Sequence, residues 1–317
     1  LRLTFGVTIG RDSNALTEHP LEPMFLLLLA LTSADTARTV QIAVAPGESL
    51  TVTMVGEGAP VVLLPGLFGS AYSYRYVMAL LDSAGYGSFA IEPLGMGTSS
   101  RPEDADYSLT AQADRVAAVL DTQAIRGAVF VGHSLGASIA MRVAYRRPEF
   151  VRGIVSLEGG PGESATTKGF RRWMRFAPVA RMLDVRRIMQ RMLYRDMKTM
   201  SFDDSWVNTR VVLEYTSGLA RDPRATIKAY QEMARAEEPE LLRDHLWAIV
   251  CPVVLLVGDT KHDAGPPSEE IILLAERLPS FTIDTVARSG YFIQEERPAA
   301  VVDVVSGFGS GGTCGGE

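Results

Sequence analysis

The sequence predicts an α/β fold: a mostly parallel central sheet flanked by helices, with an inserted helical cap. Three observations carry this. Short apolar runs alternate with stretches of helical period between residues 39 and 308. Clusters of Gly, Pro and Ser stand at the carboxyl ends of those runs. Between residues 159 and 249 the alternation stops and the pattern reads as mainly helical. Repeated strand-helix units imply a sheet covered on both faces, with any site at the carboxyl ends of its strands. At 317 residues, 47% hydrophobic and 21% charged, the chain can bury a large core.

Taken in order, residues 1–38 read as a leader, disordered or signal-like. The apolar burst at 25–31 is too short to span a membrane, and an export signal beginning at Met24 would have no basic residue ahead of it. A cytoplasmic location is expected, with export through 24–37 as the alternative. Strands at 39–44 and 50–55 form a hairpin across Pro46 and Gly47. An apolar strand at 61–64 runs into Pro65, Gly66, Leu67, Phe68 and Gly69. A helix over 74–83 leads to a strand at 88–91 and a loop of turn formers through Ser99. Helical period returns over 109–121. Residues 128–131 are wholly apolar, as in a strand buried on both faces, and 135–147 keep helical spacing until Pro148 stops them. Strands follow at 153–157, 253–257 and 281–286, and helices at 268–277 and 299–305. The glycine-rich residues 309–317 are expected to be a flexible tail. The partition is then a leader of 1–38, a core of 39–158 and 250–308, a cap of 159–249, and a flexible tail of 309–317.

Composition narrows the function classes. The net charge of −6 argues against nucleic acid as a partner. Cys251 and Cys314 stand in dissimilar surroundings, so no bridge between them is expected. His19, His133, His245 and His262 lack ligand spacing, and neither a metal nor another cofactor is expected.

The chemistry is concentrated in Val131, Gly132, His133, Ser134, Leu135, Gly136 and Ala137. A strand runs in and a helix runs out, so Ser134 sits on a strand-to-helix turn. Glycines two residues to either side fit a turn too tight for side chains. Such a turn lifts the serine Oγ above the sheet and aims the first helix amides at whatever it attacks.

With this elbow, the 64–69 loop, the 95–99 loop, the strand and loop at 253–267 and the segment 289–298, the chain resembles the α/β-hydrolase fold family over roughly residues 39–308. The 64–69 loop is similar to the family's oxyanion loop, with Pro65 where histidine is usual. Relatives that open epoxides or displace halide need a carboxylate at the elbow. A serine there implies acyl transfer on an ester, lactone or thioester, with C–C bond hydrolases and cofactor-free haloperoxidases as further serine-using relatives. The resemblance implies a small-molecule acyl substrate, an acyl-enzyme on Ser134, and an oxyanion hole from the N–H groups of Leu67 and Leu135.

The triad order implied is serine, acid, base. Asp263 is the preferred acid, because Gly265, Pro266 and Pro267 resemble the residues after the family's acid. Asp259 is read as a loop cap or second acid, and Glu158, at the end of the preceding strand, as a third. In Ser289, Gly290, Tyr291, Phe292, Ile293, Gln294 and Glu295 the flanking residues resemble the family's histidine segment, yet the histidine position is Tyr291. A phenol of pKa near 10 is about 0.1% ionised at pH 7, a poor general base. His262, on the acid loop, is the alternative base.

Residues 168–200 carry ten basic side chains against two acidic ones, within a chain of negative net charge. Interleaved methionines and aromatics give that stretch an apolar face. It reads either as a plain solvated basic face or as a cap that receives an anionic substrate group or an anionic membrane surface. Two functions therefore stand side by side: a serine hydrolase, weakened by Tyr291 or rescued by His262, and a ligand-binding or non-hydrolytic protein that kept the pocket and lost the base.

Overall fold

A computed structural model describes residues 37–164, 185–309 and 312–315. The signal-like segment, the first half of the basic run and the tip of the tail lie outside the described residues. Eight strands form one sheet in the order β1-β2-β4-β3-β5-β6-β7-β8: β1 Arg38–Ala45, β2 Glu48–Val55, β3 Ala59–Leu64, β4 Tyr86–Glu92, β5 Ala128–His133, β6 Val151–Leu157, β7 Val253–Gly258 and β8 Phe281–Val286. The hairpin β1–β2 is antiparallel and joins β4 antiparallel; every pairing from β4 through β8 is parallel.

The apolar runs are strands because both faces are covered. Along β3, Val62 and Leu64 belong to one core cluster, while Val61 and Leu63 belong to another. Phe130 and Val131 of β5 divide the same way, as the two-residue period of a strand requires. The first cluster lies under α2 Leu109–Thr122 and α3 Leu135–Arg146. The second lies under α1 Arg75–Ser83 and the late helix Pro298–Gly307. Ser108 caps α2 by accepting the Ala111 N–H at 3.1 Å.

Between β6 and β7 the described chain is helical: α4 Val185–Thr199, α5 Thr209–Tyr215, α6 Ser217–Arg221 and α7 Pro223–Arg235. Its own cluster, Met197, Val207, Val211, Val212 and Tyr215, closes over Phe292. Two buried ion networks tie this insertion to the core. Arg142 of α3, wholly buried, donates to Ser138 Oγ (2.8 Å), Gly162 O (3.1 Å) and Glu163 Oε2 (2.8 Å), and its Nε stands 3.4 Å from Glu238 Oε2. Glu163 in turn accepts the N–H groups of Leu242 and Arg243, and Glu238 accepts those of Leu109 and Thr110. Elsewhere Glu295, also buried, accepts from Arg75 and from the Tyr215 hydroxyl, each at 2.7 Å.

Beyond β7 come α8 Ser268–Arg277, a short α9 Ile293–Glu296 that the sequence pattern does not reveal, and α10 Pro298–Gly307. The expectation of two free cysteines is corrected: Cys251 and Cys314 are disulfide-bonded, 63 residues apart in sequence. The described part of the tail is docked, since the Cys314 N–H donates to Val151 O at 2.7 Å and brings the cysteine back to the sheet. Composition does not register such a return.

His133, at the end of β5, is buried and its Nε2 lies 3.1 Å from the Tyr291 carbonyl. A carbonyl only accepts, so Nε2 carries the proton. Burial, with His262 adding to it, holds the imidazole down at about 4 against the Tyr291 bond.

Two outcomes follow from these buried groups. Arg142→Ala strands carboxylates against an emptied site and should cost about 3–5 kcal/mol in urea denaturation. His133 binds a proton in the unfolded chain below pH 6.5 but in the fold only below about 4. Its contribution to stability is therefore intact above pH 6.5 and lost as the pH falls to about 4. The loss is about 3 kcal/mol, and unfolding curves of His133→Gln should lack that part of the slope.

Candidate active site

One residue, Ser134, joins β5 to α3, and its backbone sits at φ 50°, ψ −113°. This is a strained conformation for a serine, held by its surroundings. A Cβ at Gly132 would strike the backbone of Gly136 and Ala137, and one at Gly136 would strike the Leu64 carbonyl. Only glycines let α3 come this close to β3 and β5. The Ser134 N–H donates to Leu157 O at 2.9 Å, fixing the elbow to β6.

The neighbouring loops are pinned by one buried carboxylate. Glu92, at the end of β4, accepts the N–H groups of Ala71 (3.0 Å) and Thr98 (2.6 Å) and the Thr98 hydroxyl (3.1 Å). The 64–69 loop turns on a Gly69 N–H to Gly66 O bond of 2.8 Å, with Phe68 at φ 68°. Leu67 and Leu135 come from these two sides to line the same cavity as Ser134, about 650 Å³ in volume. Its far wall is apolar, with Met189, Met192, Leu193 and Met200 from the insertion. Four carboxylates, Glu158, Glu163, Asp196 and Glu270, also line it, and no lysine or arginine does so among the described residues. Burial and the nearby Glu163 raise the pKa of Glu270.

Tyr291 stands in this cavity beside Ser134, held by its backbone from both sides. Its N–H donates to Met200 O at 2.8 Å, and its carbonyl accepts from His133. The Ser134 hydroxyl is near enough to the phenol to act on its pKa. Burial pushes that pKa up to about 12; the Ser134 hydroxyl opposes the rise and the Glu158 charge adds to it.

The other expected residues divide. Asp263 is exposed and does not line the cavity. Asp259 accepts the N–H groups of Arg288 (2.9 Å) and Ser289 (3.2 Å), which ties down the start of the Tyr291 segment and holds its own pKa low. Glu158 follows β6 at φ 50° and accepts the Gly258 N–H at 2.6 Å. It also lies 3.3 Å from His262 Nε2, with the two side chains only 2% and 6% exposed. His262 packs edge-on against the Tyr291 ring, centroids 5.5 Å apart, and its Nδ1 is buried with no hydrogen-bond partner among the described residues. The structure thus gathers Ser134, Tyr291, His262 and Glu158 and leaves Asp263 outside. Sequence reasoning missed His133 and Met200 as the clamp on Tyr291, and Arg142 behind the cavity. An arginine amid the apolar run of α3 was the one available signal.

A profile of the alpha/beta hydrolase family matches residues 61–304. An epoxide hydrolase of Caballeronia sordidicola is 36% identical over 112 residues, covering 35% of this chain and 34% of that protein. Bifunctional epoxide hydrolase 2 of Sus scrofa is 33% identical over 117 residues, 37% of this chain and 21% of that one. This chain therefore matches about a third or less of the length of either. A 2-hydroxymuconate semialdehyde hydrolase of Pseudomonas sp. (strain CF600) is 28% identical over 264 residues, 80% of this chain and 87% of the relative. Among solved structures, Cfl2 from Burkholderia cenocepacia superposes with a TM-score of 0.72 at 24% identity, covering 86% of this chain and 96% of that one. An esterase from Exiguobacterium antarcticum does so with a TM-score of 0.68 at 19% identity, covering 85% and 100%. Sheet order, elbow and matched span agree, and the chain belongs to the alpha/beta hydrolase family.

Proposed function

We propose that the protein is a serine hydrolase that cleaves an ester, lactone or related acyl bond through an acyl-enzyme on Ser134. The observation that carries this is the strained serine at the head of α3, opening onto a 650 Å³ cavity. Epoxide opening of the kind named for two relatives uses a carboxylate at the elbow in this family, and this elbow holds a serine. Ser134 Oγ attacks the acyl carbon, and the carbonyl oxygen takes up the negative charge between the N–H groups of Leu67 and Leu135. A helix leaves its first N–H groups unpaired, which is the reason for assigning Leu135 this role.

Tyr291 orients the serine hydroxyl. A phenol with a pKa near 12 stays neutral at pH 7, so it does not by itself remove the serine proton. The methionine-lined wall supplied by the insertion acts as a cap over the acyl chain and favours an apolar acyl group. The carboxylates on the cavity wall speak against an anionic one. Tyr291 in the family's histidine position also supports a second reading, a ligand-binding protein of the same fold that has lost its base.

The decisive experiment is labelling with a fluorophosphonate. It should modify the wild-type protein and leave Ser134→Ala unlabelled, and hydrolysis of p-nitrophenyl esters should fall in parallel. A folded protein that neither labels nor turns over any ester of the series belongs to the ligand-binding reading. Within the series, Met189→Ala with Met192→Ala should raise KM for the octanoate about 10-fold while the acetate changes by less than about two-fold, since only the long chain reaches that wall. Equal losses on both esters would remove the acyl-binding role.

A further inference from the structure

We infer that the proton of Ser134 leaves through Tyr291 to His262, held by Glu158, so that a neutral phenol relays what a histidine at position 291 would take directly. This rests on Ser134 acting as an acyl-transfer nucleophile.

The His262–Glu158 pair is arranged for this. A carboxylate accepts and does not donate, so the 3.3 Å contact fixes the proton of the neutral imidazole on Nε2. Nδ1 is then the lone-pair side, and it is the atom left buried without a partner among the described residues. A buried acceptor with nothing to accept is costly, so such an atom marks a donor that arrives during the working cycle. The His262 ring packs against that of Tyr291, at 5.5 Å between centroids and an interplanar angle of 75°. The Tyr291 phenol lines the same cavity as Ser134, whose hydroxyl acts to lower its pKa. Glu158 holds its place at a strained φ of 50°, anchored by the Gly258 N–H at 2.6 Å, and a Cβ at Gly265 would strike its carboxylate. The pair is packed in from both loops.

As Oγ bonds to the acyl carbon, its proton passes to Tyr291 Oη and the proton of Oη passes to His262 Nδ1. The phenol ends as neutral as it began, so its high pKa is no obstacle. His262 becomes an imidazolium against the Glu158 carboxylate, and the carbonyl electron pair moves onto oxygen. When the tetrahedral adduct collapses, the same two transfers run backwards and protonate the departing alkoxide. Water repeats the cycle to free the acid and restore Ser134. His262 and Glu158 are positioning and proton-holding residues here, since only Tyr291 touches the nucleophile.

The test is the pH dependence of kcat/KM on p-nitrophenyl acetate in wild type, Tyr291→Phe, His262→Gln, Glu158→Gln and Tyr291→His. Thermal melts verify that each variant is folded. Tyr291→Phe and His262→Gln should each lose about 10²–10⁴-fold, the range a positioned acid–base group supplies, and the double variant should lose no more than either alone. The one-proton acid limb of the wild-type profile should vanish in His262→Gln and move to lower pH in Glu158→Gln, where the imidazolium has lost its counter-charge. Tyr291→His should be active and should no longer need His262, so that adding His262→Gln to it changes little. The relay is overturned if His262→Gln keeps the wild-type rate and acid limb while fluorophosphonate still labels Ser134. It is equally overturned if folded Tyr291→Phe is as active as wild type. Absence of labelling in the wild type would instead sink the nucleophile reading, and the relay with it. The two failures are therefore distinguishable.

Discussion

The close approach of α3 to β3 and β5 is the constraint on which the rest of the site depends. With no side chain at 132 or 136, the helix starts one residue after the strand ends, and its first turn lies against the Leu64 carbonyl. That contact places the 64–69 loop next to the helix start and forces Ser134 to φ 50°. A larger residue at either glycine would push the helix away and separate the serine from both neighbouring loops. The cost of the strained residue is of order 1–3 kcal/mol. It is offset by the burial of α3 on the largest apolar cluster, with Ile139, Ala140 and Val143 facing the sheet.

Two arginines tie the helices between β6 and β7 to the core, whereas the groups packed directly beside the serine are neutral. Arg142 and Arg75 each meet buried carboxylates that bridge the core to the helices between β6 and β7. Removing one partner from such a network is far more costly than forming it is beneficial, which favours a single docking of those helices over a drifting one. Beside the serine, His133 is held neutral by burial and Tyr291 is held protonated. Both sides of the Tyr291 backbone are occupied, one by the core through His133 and one by the insertion through Met200. Docking of the insertion and placement of the phenol are thus one event, because the backbone of a single residue serves both.

The fold was legible because its signals are local and repeated. The alternation of apolar runs with helical period sets the elements, and the unbroken apolar runs of β3 and β5 reflect cover on both faces. The elbow was legible for the same reason: two glycines and a serine within five residues encode a backbone shape. The placement of the carboxylates was not. Asp263 precedes a familiar Gly-Pro-Pro yet is exposed, while Glu158 lines the cavity at a backbone φ of 50° that no composition reports. His262 and Tyr291 lie 29 residues apart along the chain, and their ring contact exists only because β7 and β8 are neighbours in the sheet. The clamp on Tyr291 joins residues from β5, from the end of α4 and from the loop after β8, a pairing that sequence spacing does not carry.

The bond between Cys251 and Cys314 makes a covalent circle of everything from the foot of β7 to the tail. The circle holds β7, β8 and the stretches bearing His262 and Tyr291, whereas Ser134 and Glu158 belong to the open part of the chain. By loop-entropy reasoning, closing 63 residues removes about 4 kcal/mol of freedom from the unfolded ensemble. Half of the site is thereby tethered to itself at the sheet's edge, where β8 has a neighbour on one side only. An edge of this kind is where a sheet frays first and where foreign strands add. The circle converts fraying from an open-ended loss into a bounded excursion, after which the imidazole and the phenol can return only to each other's company.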